Sequence, residues 1–224
     1  MSSAGAEAPI LFSGPLVRAI LASEKTQTRR LPRCSVVHDS VSALHGRPFV
    51  PPNAKLIDPR TGEHERETET EALTRIGAHS IGTRLWVRET WTLWGWGGVG
   101  GDAVVKYAAG GARACAAPPG YEPPQTVQAG NNAPSIFMPR WASRLTLEIT
   151  DVRLERLQAI TDADIRAEGI VAAGFVEPGQ SLRDAWATGW DRINGGRHKP
   201  ERPTLWASNP WVIAYDFRVI GGVS

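Results

Sequence analysis

The feature that most restricts the fold is a two-residue alternation late in the chain. Leu145, Leu147 and Ile149 alternate with Thr146, Glu148 and Thr150. Successive side chains of a strand point to opposite faces, so this pattern predicts a half-buried strand. It sits within Ile136–Leu157, which reads as one long bent strand or a pair. A second β-rich run, Trp211 to Val219, closes the chain. Earlier strands are expected at Pro9–Phe12, at Arg84–Trp91, whose two faces both mix charge with aromatics, and around Val104–Tyr107. Helices are few and short. Gly14-Pro15 opens one that runs to Ser23, with Leu16, Val17, Ile20 and Leu21 on its apolar side. Thr161 caps another that stops at Gly169, with Asp162 and Asp164 in its first turn. A third spans Ser181–Asn194, with Leu182, Ala185, Trp186 and Ile193 inward and Gly195-Gly196 at its end. Strands that return after helices give an α+β, β-rich class, here a small β-barrel with short helices on its rim.

A chain of 224 residues can bury a core without staples and fits a single domain over 1–224. Two stretches interrupt the pattern. Residues 32–80 carry Pro48, Pro51, Pro52 and Pro59 and a charged run from Glu63 to Glu71, and residues 110–132 are rich in Gly, Pro and Asn. Both are read as loop insertions, the second long enough for a lid or a disordered segment. Gly97–Gly101 is read as a further loop.

Charge and motif content narrow the function classes. A net charge of +2 gives no broad electrostatic footprint for a nucleic-acid backbone. Cys34 and Cys115 form no CxxC pattern and are read as reduced and inert. His38, His45, His64, His79 and His198 are scattered without metal-ligand spacing, so neither a metal site nor a cofactor is expected. MSSAGAEAP lacks the plan of a signal peptide, and no run reaches the roughly 20 apolar residues of a membrane helix. The expectation is a soluble, cytoplasmic protein with no membrane partner; the number of copies that assemble is left open.

Chemistry concentrates at one junction. After the first helix, Lys25-Thr26-Gln27-Thr28-Arg29-Arg30 leaves in extended form and sets an ammonium, a hydroxyl and a guanidinium side by side. Read without context, such a run is a solvated strand end. Trp186 and Trp211 read as core, whereas Trp86, Trp91, Trp94 and Trp141 could form a stacking wall for a flat ligand. Arg84, Arg88 and Glu89 read as structural ion pairs.

The run Ala19-Ile20-Leu21-Ala22-Ser23-Glu24-Lys25-Thr26-Gln27-Thr28-Arg29-Arg30 resembles the ILAGxKTxTxR signature of ASCH-domain proteins, which have a PUA-like β-barrel fold. Gly82–Trp91 and Met138–Arg144 resemble two further blocks of its larger phage and prophage members. The small bacterial members are N4-acetylcytidine amidohydrolases. The resemblance therefore implies a catalytic set of Lys25, Thr28 and Glu168, the last carried by the helix that follows Leu157-Gln158-Ala159-Ile160-Thr161-Asp162. Two departures stand out: Ser23 replaces the usual glycine, and Glu24 adjoins Lys25, where an acid would raise the lysine's pKa.

Amide hydrolysis needs a nucleophile, a proton donor for the leaving amine and stabilisation of the oxyanion. Thr28 can attack or hold a water. Lys25 can take a proton or stabilise the oxyanion, and Glu168 can deliver a proton to the departing amine. Arg29, Arg30, Trp86, Arg88 and Trp141 are the candidate substrate-binding residues, and an N4-acylated cytosine nucleoside or base is the expected small-molecule partner. The alternative is an RNA-binding module without amide hydrolysis, or a ribonuclease. Arg29, Arg30, Arg33, Arg140 and Arg144 would then meet phosphates and a tryptophan would stack on a base.

Overall fold

The structure is a computed structural model, and it describes residues 6–32, 56–57, 64–65, 77–96, 102–197 and 204–222. Its frame is a long antiparallel pair, β10 (Leu145–Arg156) and β11 (Trp211–Gly222), each of 12 residues. The alternating run at Leu145–Ile149 forms the first part of β10, as its pattern predicts. Around this pair a mixed sheet is ordered β1-β5-β10-β11-β2. β1 (Glu7–Leu11) and β5 (Arg84–Arg88) run parallel, and β2 (Gln27–Arg30) lies antiparallel to β11. Leu85, Val87, Leu147, Ile149, Ile213, Tyr215 and Phe217 cover one face of this sheet, and α1 (Gly14–Leu21) docks there through Val17 and Ile20.

A second sheet, ordered β8-β7-β6-β9, has a core of its own around Trp91, Leu93, Val105, Tyr107 and Met138. Its strands are β6 (Trp91–Trp96), β7 (Ala103–Tyr107), β8 (Ala112–Cys115) and β9 (Asn132–Ala133). A third cluster joins α2 (Asp162–Ala167) and α3 (Leu182–Asn194) to Leu157 and Val212. A two-stranded ribbon, β3 (Leu56–Ile57) with β4 (His64–Glu65), completes the strands among the described residues. The fold is α+β and strand-rich, and among the described residues no closed barrel is found.

Four local expectations are corrected. Arg84–Trp91 is two strands, not one: the chain leaves the first sheet at Glu89-Thr90 and enters the second at Trp91. The buried Glu89 carboxylate, held by Arg144, fixes that corner. Residues 110–132 are not a bare loop, because β8 pairs with β7 there and Cys115 and Val127 enter the second core. Ile136–Arg144 is not strand. It forms two short 3-10 turns, Ser135–Phe137 and Arg140–Ala142, preceded by Pro134 and Pro139, whose nitrogens cannot join a ladder. On α3, Ile193 is 67% exposed, while Trp186, Trp190 and Asn194 face inward at helical spacing. The Trp190 indole donates to the Thr204 carbonyl at 2.7 Å and fixes that face. The expected loop at Gly97–Gly101 and nearly all of the 32–80 insertion, with Arg33 and Cys34, lie outside the described residues.

Candidate functional site

The junction that ends α1 is tightly built. The chain turns at Ser23, whose φ of 60° is left-handed, and the next two backbone amides, of Glu24 and Lys25, both donate to the Ala19 carbonyl. Ser23 thus adopts a left-handed backbone that glycine takes more readily. The Thr26 amide then bonds the Ala167 carbonyl at 2.9 Å, tying the start of β2 to the end of α2. α2 begins with a reciprocal cap between Thr161 and Asp164 and gives way to Gly169 at φ +77°. A Cβ on Gly169 would lie 2.7 Å from the Cβ of Lys25, so only glycine lets residues 168–169 rest on the lysine.

That contact delivers Glu168 to Lys25. The Lys25 ammonium is 2% exposed and donates to the Gln27 carbonyl (2.6 Å), the Glu168 carbonyl (2.8 Å) and Glu168 Oε2 (2.9 Å). All three of its donors are used. Burial pushes the Lys25 pKa below its ordinary value, and the Glu168 carboxylate opposes that shift. Glu24 is exposed and is not among the charges that act on Lys25, so the expected rise from that neighbour does not occur.

β2 divides the remaining groups between its two faces. Gln27 and Arg29 face the α2 side. The Arg29 guanidinium donates to Glu155 Oε1 (2.7 Å), Gln27 Oε1 (2.7 Å) and Glu168 Oε1 (3.3 Å), and stands 3.5 Å from Asp164 Oδ2. It is 2% exposed and ringed by the carboxylates of Glu155, Asp164 and Glu168, although its Nη2 makes no hydrogen bond among the described residues. Thr28 and Arg30 alternate to the core side. Arg30 Nη1 donates to Thr28 Oγ1 at 2.7 Å and to the Arg29 carbonyl at 3.0 Å, and its Nη2 donates to the Leu11 carbonyl at 3.1 Å. The Phe12 ring spans the two halves, with Lys25 Nζ 5.2 Å and Arg30 Cζ 5.1 Å from its centroid. Tyr215 stands opposite Thr28 in the ladder and accepts a hydrogen bond from the His79 amide.

The structure therefore brings Lys25 and Glu168 into direct contact and sets Thr28 beside them on the other face of β2, joined through Arg30 and Phe12 rather than by a hydrogen bond to either. Trp86 and Arg88 lie elsewhere. Leu85 and Val87 of the same strand face the first core, so Trp86 and Arg88 project from the opposite side of the sheet, the guanidinium 4.6 Å from the indole. Trp141 packs edge-on against Trp91 and Tyr121 beside the second core. Trp94 is 55% exposed under Lys106, so the four tryptophans do not share one wall. Glu89 pairs with Arg144, not with Arg84 or Arg88.

Sequence reasoning missed Gln27, Glu155, Phe12, Tyr215 and His79. Gln27 lay inside the motif and alternation already put it on the side of Arg29. Glu155 and Tyr215 reach the junction only through strand pairing. Among the described residues no group of His, Cys, Asp or Glu could hold a metal ion, and no helix is long and apolar enough to cross a membrane. No family model, curated protein or solved structure matches the chain.

Proposed function

We propose that the protein is an amidohydrolase that cleaves the N4-acyl amide of a cytosine nucleoside or base, on a PUA-like (ASCH) variant of the strand-rich fold described above. The observation that carries this reading is the buried contact of Lys25 with Glu168 across 143 positions of chain. A structural pair is better served by arginine, which cannot lose its proton. A desolvated lysine 2.9 Å from a carboxylate can pass a proton either way, which is what acyl transfer at neutral pH needs.

In this scheme Thr28 Oγ1, or a water it holds, attacks the acyl carbon. Because Thr28 bonds neither member of the pair, its proton reaches the Glu168 carboxylate through a relaying water, and the Lys25–Glu168 pair returns it to the exocyclic nitrogen as the C–N bond breaks. If Thr28 attacked, water then releases the acid from it. Thr28, Lys25 and Glu168 are each no more than 3% exposed, so the acyl group enters only by displacing side chains over the junction.

The RNA-binding alternative draws less support. Arg29, Arg140 and Arg144 from its cation set are committed to carboxylates of the chain itself. The test is incubation with N4-acetylcytidine and chromatographic detection of cytidine. Lys25→Ala, Thr28→Ala and Glu168→Ala should each lower kcat by about 10²-fold or more. Turnover unchanged in all three overturns the proposal.

A further inference from the structure

We infer that Arg30 is a positioning residue that sets the ionisation and the rotamer of the Thr28 hydroxyl, rather than a group that holds substrate. The inference rests on the hydrolase reading and deepens it. The guanidinium is pinned at both ends: Nη2 to the Leu11 carbonyl at 3.1 Å, Nη1 to the Arg29 carbonyl at 3.0 Å and to Thr28 Oγ1 at 2.7 Å. Its Cζ stands 5.1 Å from the centroid of the Phe12 ring. A guanidinium anchored this way is not aimed at a ligand; it is aimed at the hydroxyl.

A hydroxyl has two acceptor lone pairs and one proton. Arg30 occupies one lone pair, and this is the only hydrogen bond of the Thr28 side chain among the described residues. The other lone pair remains for attack and the proton for a base. A permanently charged donor also favours the alkoxide over the alcohol, as opposite charge within hydrogen-bond reach does for any acid. Lysine has no planar fork and would not span Thr28 and Leu11 together.

Two experiments test this. In Arg30→Lys and Arg30→Ala, kcat for N4-acetylcytidine should fall about 10²-fold with KM within about twofold of wild type, because misplacement of a reacting group alone carries that cost. Added guanidinium ion at millimolar concentration should restore part of kcat to Arg30→Ala and none to Thr28→Ala. A raised KM with kcat retained would make Arg30 a substrate contact and overturn the inference. The second experiment needs no turnover. In a Cys34→Ser, Cys115→Ala background, thiolate absorbance is titrated for Thr28→Cys with and without Arg30→Gln. The thiol beside Arg30 should titrate at a pH lower by about 1 or more than its Arg30→Gln counterpart; coincident titrations overturn the contact's electrostatic role. An inactive wild-type chain would sink the hydrolase reading and any catalytic role for Arg30, and the thiol titration would then decide the Arg30–Thr28 contact by itself.

Discussion

Among the described residues, two of the buried ion pairs that join distant parts of this chain are built on different cations. Lys25 meets Glu168 with side chains 1% and 4% exposed; Arg144 meets Glu89 with side chains 8% and 2% exposed. Arg144 binds both Glu89 oxygens, at 2.8 and 3.0 Å, adds the Gly110 carbonyl at 2.7 Å and lies 4.1 Å from the Tyr107 ring centroid. It rivets the corner where β5 hands over to β6. Lys25 has no such fork, and two of its three acceptors are backbone carbonyls. Equal burial thus does not mean equal purpose. A guanidinium holds its proton under all working conditions, whereas a buried ammonium can release one. On the proposed reading the lysine pair takes part in proton transfer, and the arginine pair does not.

The largest expected effect separates the pairs by stability. Arg144→Ala leaves the buried Glu89 carboxylate without its counter-ion, with the Ala109 backbone amide still bonded to it, at a cost of about 3–5 kcal/mol. Lys25→Met leaves Glu168 still bonded to Arg29 at 3.3 Å and should cost less, about 1–3 kcal/mol. Urea unfolding reads both. For turnover the order reverses: Lys25→Met should lose about 10²-fold or more, and Arg144→Lys should retain most of it in whatever fraction folds. Equal stability losses in Arg144→Ala and Lys25→Met would erase the distinction.

Each pair is also flanked by a glycine of positive φ, which offers a finer comparison. A Cβ at Gly169 would meet the Cβ of Lys25 at 2.7 Å, an atom fixed to the backbone; one at Gly111 would meet only Arg144 Nη1, at 3.1 Å, the far end of a flexible side chain. Gly169→Ala should therefore destabilise by about 2–3 kcal/mol, combining overpacking with left-handed strain, and should lower turnover by prying Glu168 from Lys25. Gly111→Ala should cost about 1–2 kcal/mol, the strain alone. A larger loss at Gly111 would mean that the corner, not the junction, is the tighter of the two.

The pairs should also respond to pH with opposite sign. Burial raises the Glu89 pKa, with Arg144 opposing it. The folded state then holds more protons than the unfolded one from the ordinary glutamate value of about 4.3 up to the raised value, and stability falls as pH rises through that window. Burial lowers the Lys25 pKa. The unfolded state then holds more protons from the lowered value up to the ordinary lysine value of about 10.4, and stability rises with pH there. Subtracting the Tm–pH curves of Glu89→Gln and Lys25→Met from wild type isolates the two slopes. A wild-type minus Lys25→Met difference that falls with rising alkaline pH would contradict the burial argument.

Period-two alternation made β10 legible, and cap chemistry made α2 legible at Thr161 and Gly169. Lys25, Thr28 and Glu168 were visible only through the motif, and the sequence said nothing of their division between two faces of β2 until the strand was placed. The two-sheet architecture was not legible. Glu89 looks like any strand-end acid until Arg144, 55 positions away, turns the chain at that point. Arg29 and Arg30 are adjacent and read alike, yet alternation sends one into a carboxylate network and the other to a hydroxyl. Periodicity identifies which face a residue occupies; what waits on that face depends on pairing between segments that no local pattern records.

The smallest expected effect lies at Ser23, where sequence and geometry disagree most openly. A non-glycine residue at φ 60° carries a steric cost that glycine does not, of the order of 1 kcal/mol. Ser23→Gly removes that cost and adds some entropy to the unfolded chain, so the net gain should be positive but under about 1 kcal/mol. The turn sits on the lysine side of the comparison only, two residues before Lys25, and nothing equivalent supports Arg144. A gain in urea midpoint with turnover unchanged would mean that the Ala19 carbonyl, which accepts from both Glu24 and Lys25, already fixes the lysine's approach whatever residue makes the turn. A loss of turnover with that gain would mean instead that the strained serine helps hold the ammonium against Glu168.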